Sequence, residues 1–432
     1  MNPSDSLYKY CDDTTKLAKN LKNATIFRYR QCISAKNREF KKLTDTQKEV
    51  ISEFLLAGIV INDKKYVPSY KNMFNCFSAN KNPDYFSSLA RQSSQQIMKE
   101  VSRDFKSFFK SIKDYKKHPG KYSGKPKLPK YCQCDRIEYT ITNQDAVIYG
   151  NDLKLPNTKI RLYLGENHNI EDLREVRIVP YYGSYRIILT YKESEVSHKL
   201  NGNRFVGLDL GVDNFVTISN NFGDSPKLIK GNIIKSKNQL ANKRIAYLKS
   251  LLPEYQKTTK QIQRIWQKRS NVFDDFYNKT VTYIFKYCID NKVGTVAIGK
   301  NNHWKRSINI GKTNNQNFCY ISHAVFIKKL KSKLESAGIF VVLQEESYTS
   351  KSSFLDNDDI PIYQEGAKHK FSGKRIKRGL YKSEKGILIN ADVNGASNII
   401  RKHKQDAFDG ISLTYLLNPE VVRFEYINSI KK

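Results

Sequence analysis

Acidic residues are scarce in this 432-residue sequence: 42 Asp and Glu face 75 Lys and Arg, which leaves a formal charge of +33 and a pI of about 9.7. So large a surplus of like charge destabilises a compact chain unless a polyanion neutralises it, which excludes an ordinary small-metabolite enzyme as the first reading. A long nucleic acid is the expected partner. Long apolar runs are also missing, since none approaches the roughly 18 residues of a membrane span. The first turns of the chain carry Asp5, Asp12 and Asp13 and no apolar stretch of the signal-peptide kind. Cysteine is sparse and irregular: the seven are Cys11, Cys32, Cys76, Cys132, Cys134, Cys288 and Cys319. An odd, unspaced set in a chain too long to need staples reads as a reducing compartment. A soluble intracellular protein without a membrane partner is expected.

What is present is enough to build cores, with 39% hydrophobic and 12% aromatic residues, and the length suggests about two to four domains. From about residue 13 to 115 the apolar spacing is helical. Its clearest stripe is Ile97, Val101, Phe105, Phe108, Phe109 and Ile112, with lysines and arginines around the rest of the helix. Residues 116–130, KKHPGKYSGKPKLPK, combine three Pro, two Gly and six Lys, a density of breakers that predicts an extended basic linker. Lys116, Lys117, Lys121, Lys125, Lys127 and Lys130 are its candidate phosphate contacts. Between about 136 and 195 short β-type runs separated by Asn, Gly and Pro predict a small β domain. Beyond Gly202, strands at 205–211 and 215–219, helices at about 234–251 and 256–290, a strand at 294–299, a helix at 323–337 and a strand at 340–346 predict an α/β layer fold. The tail after about Lys404 reads as a short, partly helical appendage.

Three carboxylates stand out. Asp209 interrupts the apolar run Phe205 to Leu210, where an unpartnered charge would cost several kcal/mol, so it pairs with a cation, caps a turn or binds metal. Glu345 and Glu346 end the apolar run Ile339 to Leu343, and Asp392 opens a helix, where it could simply cap it. Hydrolysing a phosphodiester with two divalent ions needs oxygen ligands at the strand ends of one sheet, with the ions about 3.5–4 Å apart. The order of elements, with an Asp in the first strand, is that of an RNase H fold.

The segments FVGLDLGVDNF (205–215), TVAIGKNNHWKR (295–306), NNQNF (314–318), EESYTSKSSFLD (345–356), GKRIKRGLYK (373–382) and INADVNGASNI (389–399) stand out, with SQQIMKEVSRDFKSFFKSIKDY (94–115) and GKPKLPKY (124–131) upstream. Together they resemble the TnpB family of RNA-guided DNA nucleases, its Fanzor relatives and, more distantly, the miniature type V CRISPR effectors. The resemblance implies that Asp209 and Asp392 are the first and third RuvC-type carboxylates. Most members carry the middle Glu where this chain has Gly299. Here the resemblance selects Glu346, just ahead of a Tyr-Thr-Ser element, with Glu345 as the alternative; a neighbouring strand end is only about 5 Å away. Members commonly carry paired Cys after this element, but Ser352 follows Lys351 here, so no zinc is expected in the insertion. By the same resemblance, the β domain is expected to lack one strand at its start.

The implied organisation is multidomain and mixed, α/β with all-α and all-β parts. It comprises a helical recognition domain (1–115), a basic linker (116–135), a β-barrel wedge domain (136–201) and an RNase H-like (RuvC) domain in two pieces (202–350 and 391–403). Between those pieces lies a basic target-nucleic-acid-binding insertion (351–390), and a tail (404–432) follows. In the insertion Lys351, Lys374, Arg375, Lys377 and Arg378 are expected to touch nucleic acid. The implied activity is RNA-guided, Mg²⁺-dependent DNA cleavage with two ions, Mn²⁺ being an alternative. The implied partners are one guide RNA of the omega type bound to a monomer, and target duplex DNA. A guided repressor that does not cut and a transposase-like strand-transfer enzyme are the rival readings. The host is left open between a bacterial cytoplasm or nucleoid and a eukaryotic nucleus.

Overall fold

Helix α1 (Tyr8–Ala35) buries Leu21, Tyr29 and Cys32 against α4 (Arg91–Lys117), whose inward face is Ile97, Met98, Val101 and Phe105. Tyr29 stacks on Phe105 with ring centroids 4.6 Å apart. Between them come α2 (Asp45–Leu56), started by a capping box of Thr44 and Gln47, and α3 (Tyr70–Ala79), capped by Ser69. Arg28 grips Glu53 through two bonds of 2.7 and 2.8 Å and so ties α1 to α2. The computed structural model describes residues 1–36, 38–61, 67–166, 172–192, 198–300, 321–364 and 369–424. The motif residues 301–306 and 314–318 lie outside the described residues. The chain divides into two compact units, Met1–Glu193 and Ser194–Lys432.

In the first unit α4 continues to Lys117, so Lys116 and Lys117 sit in its last turn, where cations complement the helix dipole. The expected extended linker instead opens with a short 3-10 turn, Pro119–Lys121, and its later part passes along α1. Arg30 donates to the Pro129 carbonyl at 2.8 Å, and Asn23 exchanges bonds of 2.8 and 3.1 Å with the Cys132 backbone. The β part is two three-stranded antiparallel sheets. One orders β1 (Tyr139–Thr142), β5 (Leu173–Tyr181) and β6 (Ser184–Tyr191); the other joins β2 (Val147–Tyr149), β3 (Asp152–Lys154) and β4 (Arg161–Tyr163). Asp12 of α1 receives Arg136 at 2.5 and 2.9 Å and the Tyr185 hydroxyl at 2.6 Å, which fastens the first sheet to the helix.

The second unit is built on β7 (Asn201–Leu210), β8 (Asn214–Asn220), β9 (Lys227–Lys230), β10 (Val293–Gly299) and β11 (Phe340–Gln344). The sheet order is β11-β10-β7-β8-β9, with β7, β8 and β9 antiparallel and β10 and β11 parallel to β7. That is the RNase H order. Along β7 the side chains alternate between the two faces. Val206, Leu208 and Leu210 enter the main core with α6 (Lys260–Asp290) and α7 (His323–Glu335), where Phe215 meets Phe276 at 5.0 Å and Phe326 at 4.8 Å. Helix α5 (Asn232–Ser250) packs against α6. Phe205, Gly207 and Asp209 face α8 (Ala391–His403), which crosses so closely that a Cβ at Gly207 would overlap the Ala396 carbonyl.

Between β11 and α8 the insertion forms a small antiparallel sheet of β12 (Lys374–Lys377), β13 (Leu380–Lys382) and β14 (Leu388–Asn390). The tail contributes β15 (Glu420–Val422), a sixth strand parallel to β9. Among the described residues no helix is long and apolar enough to cross a membrane.

Candidate active site

Asp209 lies one residue from the end of β7, Gly299 ends β10, and Glu346 follows β11 by two residues, so the parallel strands deliver all three to one edge of the sheet. Asp392 comes to the same edge from the first turn of α8. It does not cap that helix. The Asn390 side chain does, accepting from the Asp392 and Val393 amides at 2.9 and 3.2 Å, so the Asp392 carboxylate is directed elsewhere. It receives Asn214 Nδ2 at 2.7 Å and the Arg375 guanidinium at 3.4 Å, while Asn214 is itself held by Lys230 at 2.7 Å.

Two glycines make room for the acids. A Cβ on Gly395 of α8 would stand 2.9 Å from Asp209 Oδ2, and a Cβ on Gly299 would overlap Glu346 Oε1. The Glu346 carboxylate therefore fills the space above the position where most members of the resembling family carry their acid. Burial raises the pKa of Asp209, the Asp392 charge raises it further, and Arg375 opposes the shift. Burial likewise raises Glu346, with the charges of Asp209 and Glu345 adding to it.

Glu345 is engaged differently. Lys402, almost fully buried, donates to it at 2.6 Å, and the Ser347 amide donates at 2.8 Å. These bonds hold the Glu345 carboxyl below its ordinary pKa although burial opposes ionisation. The geometry thus brings Glu346 toward Asp209 and ties Glu345 to α8. The turn after Glu346 returns Thr349 N to the Glu346 carbonyl at 3.2 Å and puts Tyr348 at φ +63°, a conformation glycine usually takes. The Tyr348 ring packs on His369 at 4.9 Å and Phe371 at 5.9 Å.

Two side chains whose role the sequence pattern does not announce clamp this turn to α8. Asn398 Nδ2 donates to the Thr349 and Ser352 carbonyls, both at 2.8 Å. Asn394 donates to the Ser352 carbonyl at 2.9 Å and accepts from Phe354 N at 3.0 Å. Their spacing of four residues, two and six after Asp392, is the one signal that could have found them, because it puts both on one helix face. Where the resemblance leads one to expect paired cysteines, carboxylates gather the backbone. Asp358 accepts from Ser353 N at 2.8 Å and Ser372 N at 3.0 Å, and Asp356 accepts from Glu384 N at 2.8 Å.

Among the nucleic-acid candidates, Arg375 joins the carboxylates and Arg378 pairs with Asp213 at 2.7 Å. Lys351, Lys374 and Lys377 are exposed. Lys116, Lys117, Lys121, Lys125, Lys127 and Lys130 belong to the first unit, and all six are exposed.

Among the described residues no three His, Cys, Asp or Glu side chains close around a single ion. The donor set is nevertheless all carboxylate oxygen, which suits Mg²⁺, an ion usually held by one or two carboxylates with water and substrate phosphate completing the shell. Asp209 is flanked by one acid on each side and could be shared by two ions.

Residues 188–305, which include Asp209, match the OrfB_IS605 family, described as a probable transposase. Residues 323–399, which include Glu346 and Asp392, match the Cas12f1-like TNB domain. These two matches support a TnpB-family, miniature type V effector-like protein. In structure this TnpB-like chain is similar to the protein of a Cas12f1–sgRNA–target DNA complex, at 15% identity and a TM-score of 0.52, over 91% of this chain and 82% of that one. A second likeness, to a CRISPR–Cas12f ternary complex, has 13% identity and a TM-score of 0.33, over 90% and 81% of the two chains. No curated protein matches the sequence.

Proposed function

We propose that the chain is an RNA-guided DNA endonuclease that hydrolyses phosphodiester bonds at Asp209, Glu346 and Asp392. The observation that carries this reading is the gathering of those acids at the strand-end edge of one RNase H-type sheet, with Arg375 beside them. Asp209 with Glu346 would hold one divalent ion and Asp209 with Asp392 a second. Bound there, Mg²⁺ would favour deprotonation of an attacking water and offset charge on the leaving 3′ oxygen. The chain's own part is positional. Asn394 and Asn398 fix the Glu346 turn, Gly395 and Gly299 leave space for the acids, and Asn214 orients Asp392. Arg375 is placed to meet a phosphate arriving at Asp392.

The exposed lysines of 116–130 and the β sheets of the first unit are assigned to one guide RNA of the omega type. The insertion, with Lys351, Lys374, Lys377 and Arg378, is assigned to the DNA. Most sequence specificity then comes from base pairing, with the protein reading backbone shape and a short adjacent motif. Analysis of product ends tests the reaction class. Purified protein with its copurifying RNA and Mg²⁺ should leave hydrolysed 3′-hydroxyl and 5′-phosphate ends on a guide-matched duplex; joined strands would instead identify strand transfer, and an intact duplex a non-cutting binder.

A further inference from the structure

The sheet of β2, β3 and β4 turns one face inward through Ile148, Leu153 and Leu162, which join the core of the first unit. Its outward face holds two cross-strand rows: Tyr149, Asp152 and Tyr163 in one, Val147, Lys154 and Arg161 in the other. Tyr149 is 54% and Tyr163 59% exposed, and Lys154 and Arg161 are exposed as well. Arg161 stands 5.9 Å from the centre of the Tyr149 ring. Beside the face runs an open groove of about 600 Å³, lined by Tyr149, Lys154, Pro156, Asn157 and Lys159. Its wall is braced by Asn157, which sits at φ +57° and donates to the Ser88 carbonyl at 2.7 Å.

We infer that this face is a stacking platform for unpaired bases of the bound RNA, one base on Tyr149 and one on Tyr163, with the joining phosphates on Lys154, Arg161 and Lys159. This rests on the guide-RNA reading above and adds the form of RNA that the site takes.

Three physical points favour that occupant. Two tyrosines held apart by the middle strand lie about 10 Å from each other, so each receives its own base instead of sharing one. Aromatic rings interleaved with cations are what a single strand needs: every base has a π-face, and its phosphates need counter-charge. A paired helix keeps its bases stacked inside and offers none to the rings. Asp152, in the tyrosine row, presents acceptors to the amino edge of a stacked base, an edge that an RNA duplex keeps in a major groove too deep and narrow for side chains to read.

The test uses the full chain stripped of nucleic acid and the RNA that copurifies with it, rebound across a salt series. Tyr149→Ala with Tyr163→Ala should weaken binding about tenfold or more and leave the salt slope unchanged, because stacking releases no counterions. Lys154→Ala with Arg161→Ala should flatten the slope by about 0.7 for each phosphate that these cations neutralise. The Tyr→Phe pair should bind like wild type, and circular-dichroism melting should show all variants folded. Ultraviolet crosslinking should join an unpaired nucleotide to the peptide carrying Tyr149 or Tyr163. If the Tyr→Ala pair binds as tightly as wild type, or a fully paired RNA duplex suffers the same loss, the platform is wrong and the guide-RNA reading stands. If the wild-type chain carries no defined RNA and binds none in preference to random sequence, both readings fall.

Discussion

The carboxylate of Glu346 occupies the space that a side chain on Gly299 would fill. The two positions are on neighbouring strand ends, β10 and the segment after β11, and only one of them can carry a group there. A substitution at 299 therefore acts on the acid directly. Gly299→Ala should displace Glu346 and lower cutting by roughly tenfold or more, as overpacking beside a positioned group does, with RNA binding kept. Gly299→Glu should be inactive by itself, and adding Glu346→Ala should recover cutting above that of the Gly299→Glu single variant. Single-turnover cleavage rates on one matched duplex make the comparison.

Glu345 has a different expected signature. Its bond to Lys402 joins the chain after β11 to α8 and neutralises an almost fully buried ammonium, so Glu345→Gln should lower thermal stability by about 1–3 kcal/mol and leave single-turnover cleavage near wild type. Glu346→Gln should do the reverse. Paired melting and cleavage measurements on both variants separate the roles.

In the insertion, Asp356 and Asp358 hold Ser353, Ser372 and the Glu384 amide together. Replacing Asp358 with Ala strands the Ser353 and Ser372 donors and should destabilise the segment by about 1–3 kcal/mol, read as faster amide exchange around 351–384. A chelator that removes zinc should leave that exchange unchanged in wild type; accelerated exchange on chelation would show that a metal holds the insertion.

The first unit should lose stability in acid through Asp12. Its hydrogen bond from Arg136, with Tyr185 assisting, holds the folded carboxyl below its ordinary pKa although burial opposes this. A depressed folded pKa contributes stability that is complete above pH about 4 and disappears as pH falls through the lowered folded value. Asp12→Asn should melt at a lower temperature at neutral pH, and the gap from wild type should close as the solution is acidified. Melting of the two proteins across that range checks the sign.

The readable parts of the sequence were those whose signal is local. Asp209 could be singled out because one carboxylate breaks the run Phe205 to Leu210, and the helices near 232–250 and 260–290 announce themselves by period. Breaker density at Pro119 put the start of the linker at Lys116, yet α4 continues to Lys117. A helix tolerates lysines in its last turn, so the proline marks the stop a little late. The cap of α8 is Asn390 and not Asp392, a choice between polar residues two positions apart that composition leaves open. Strand β15 was out of reach because three residues of the tail become a strand only by pairing with Lys227 to Ile229, far back in the chain. The Asn394 and Asn398 clamps and the Glu345–Lys402 pair likewise depend on which segment α8 lies against.

The central claim is that Asp209, Glu346 and Asp392 act as one site. Single-turnover cleavage of a guide-matched duplex in Mg²⁺, with RNA and DNA binding measured on the same preparations, tests it most directly. Asp209→Ala, Glu346→Gln and Asp392→Ala should each bind as wild type does and cut at least roughly a hundredfold more slowly. Wild-type cutting by any one of the three would contradict the account.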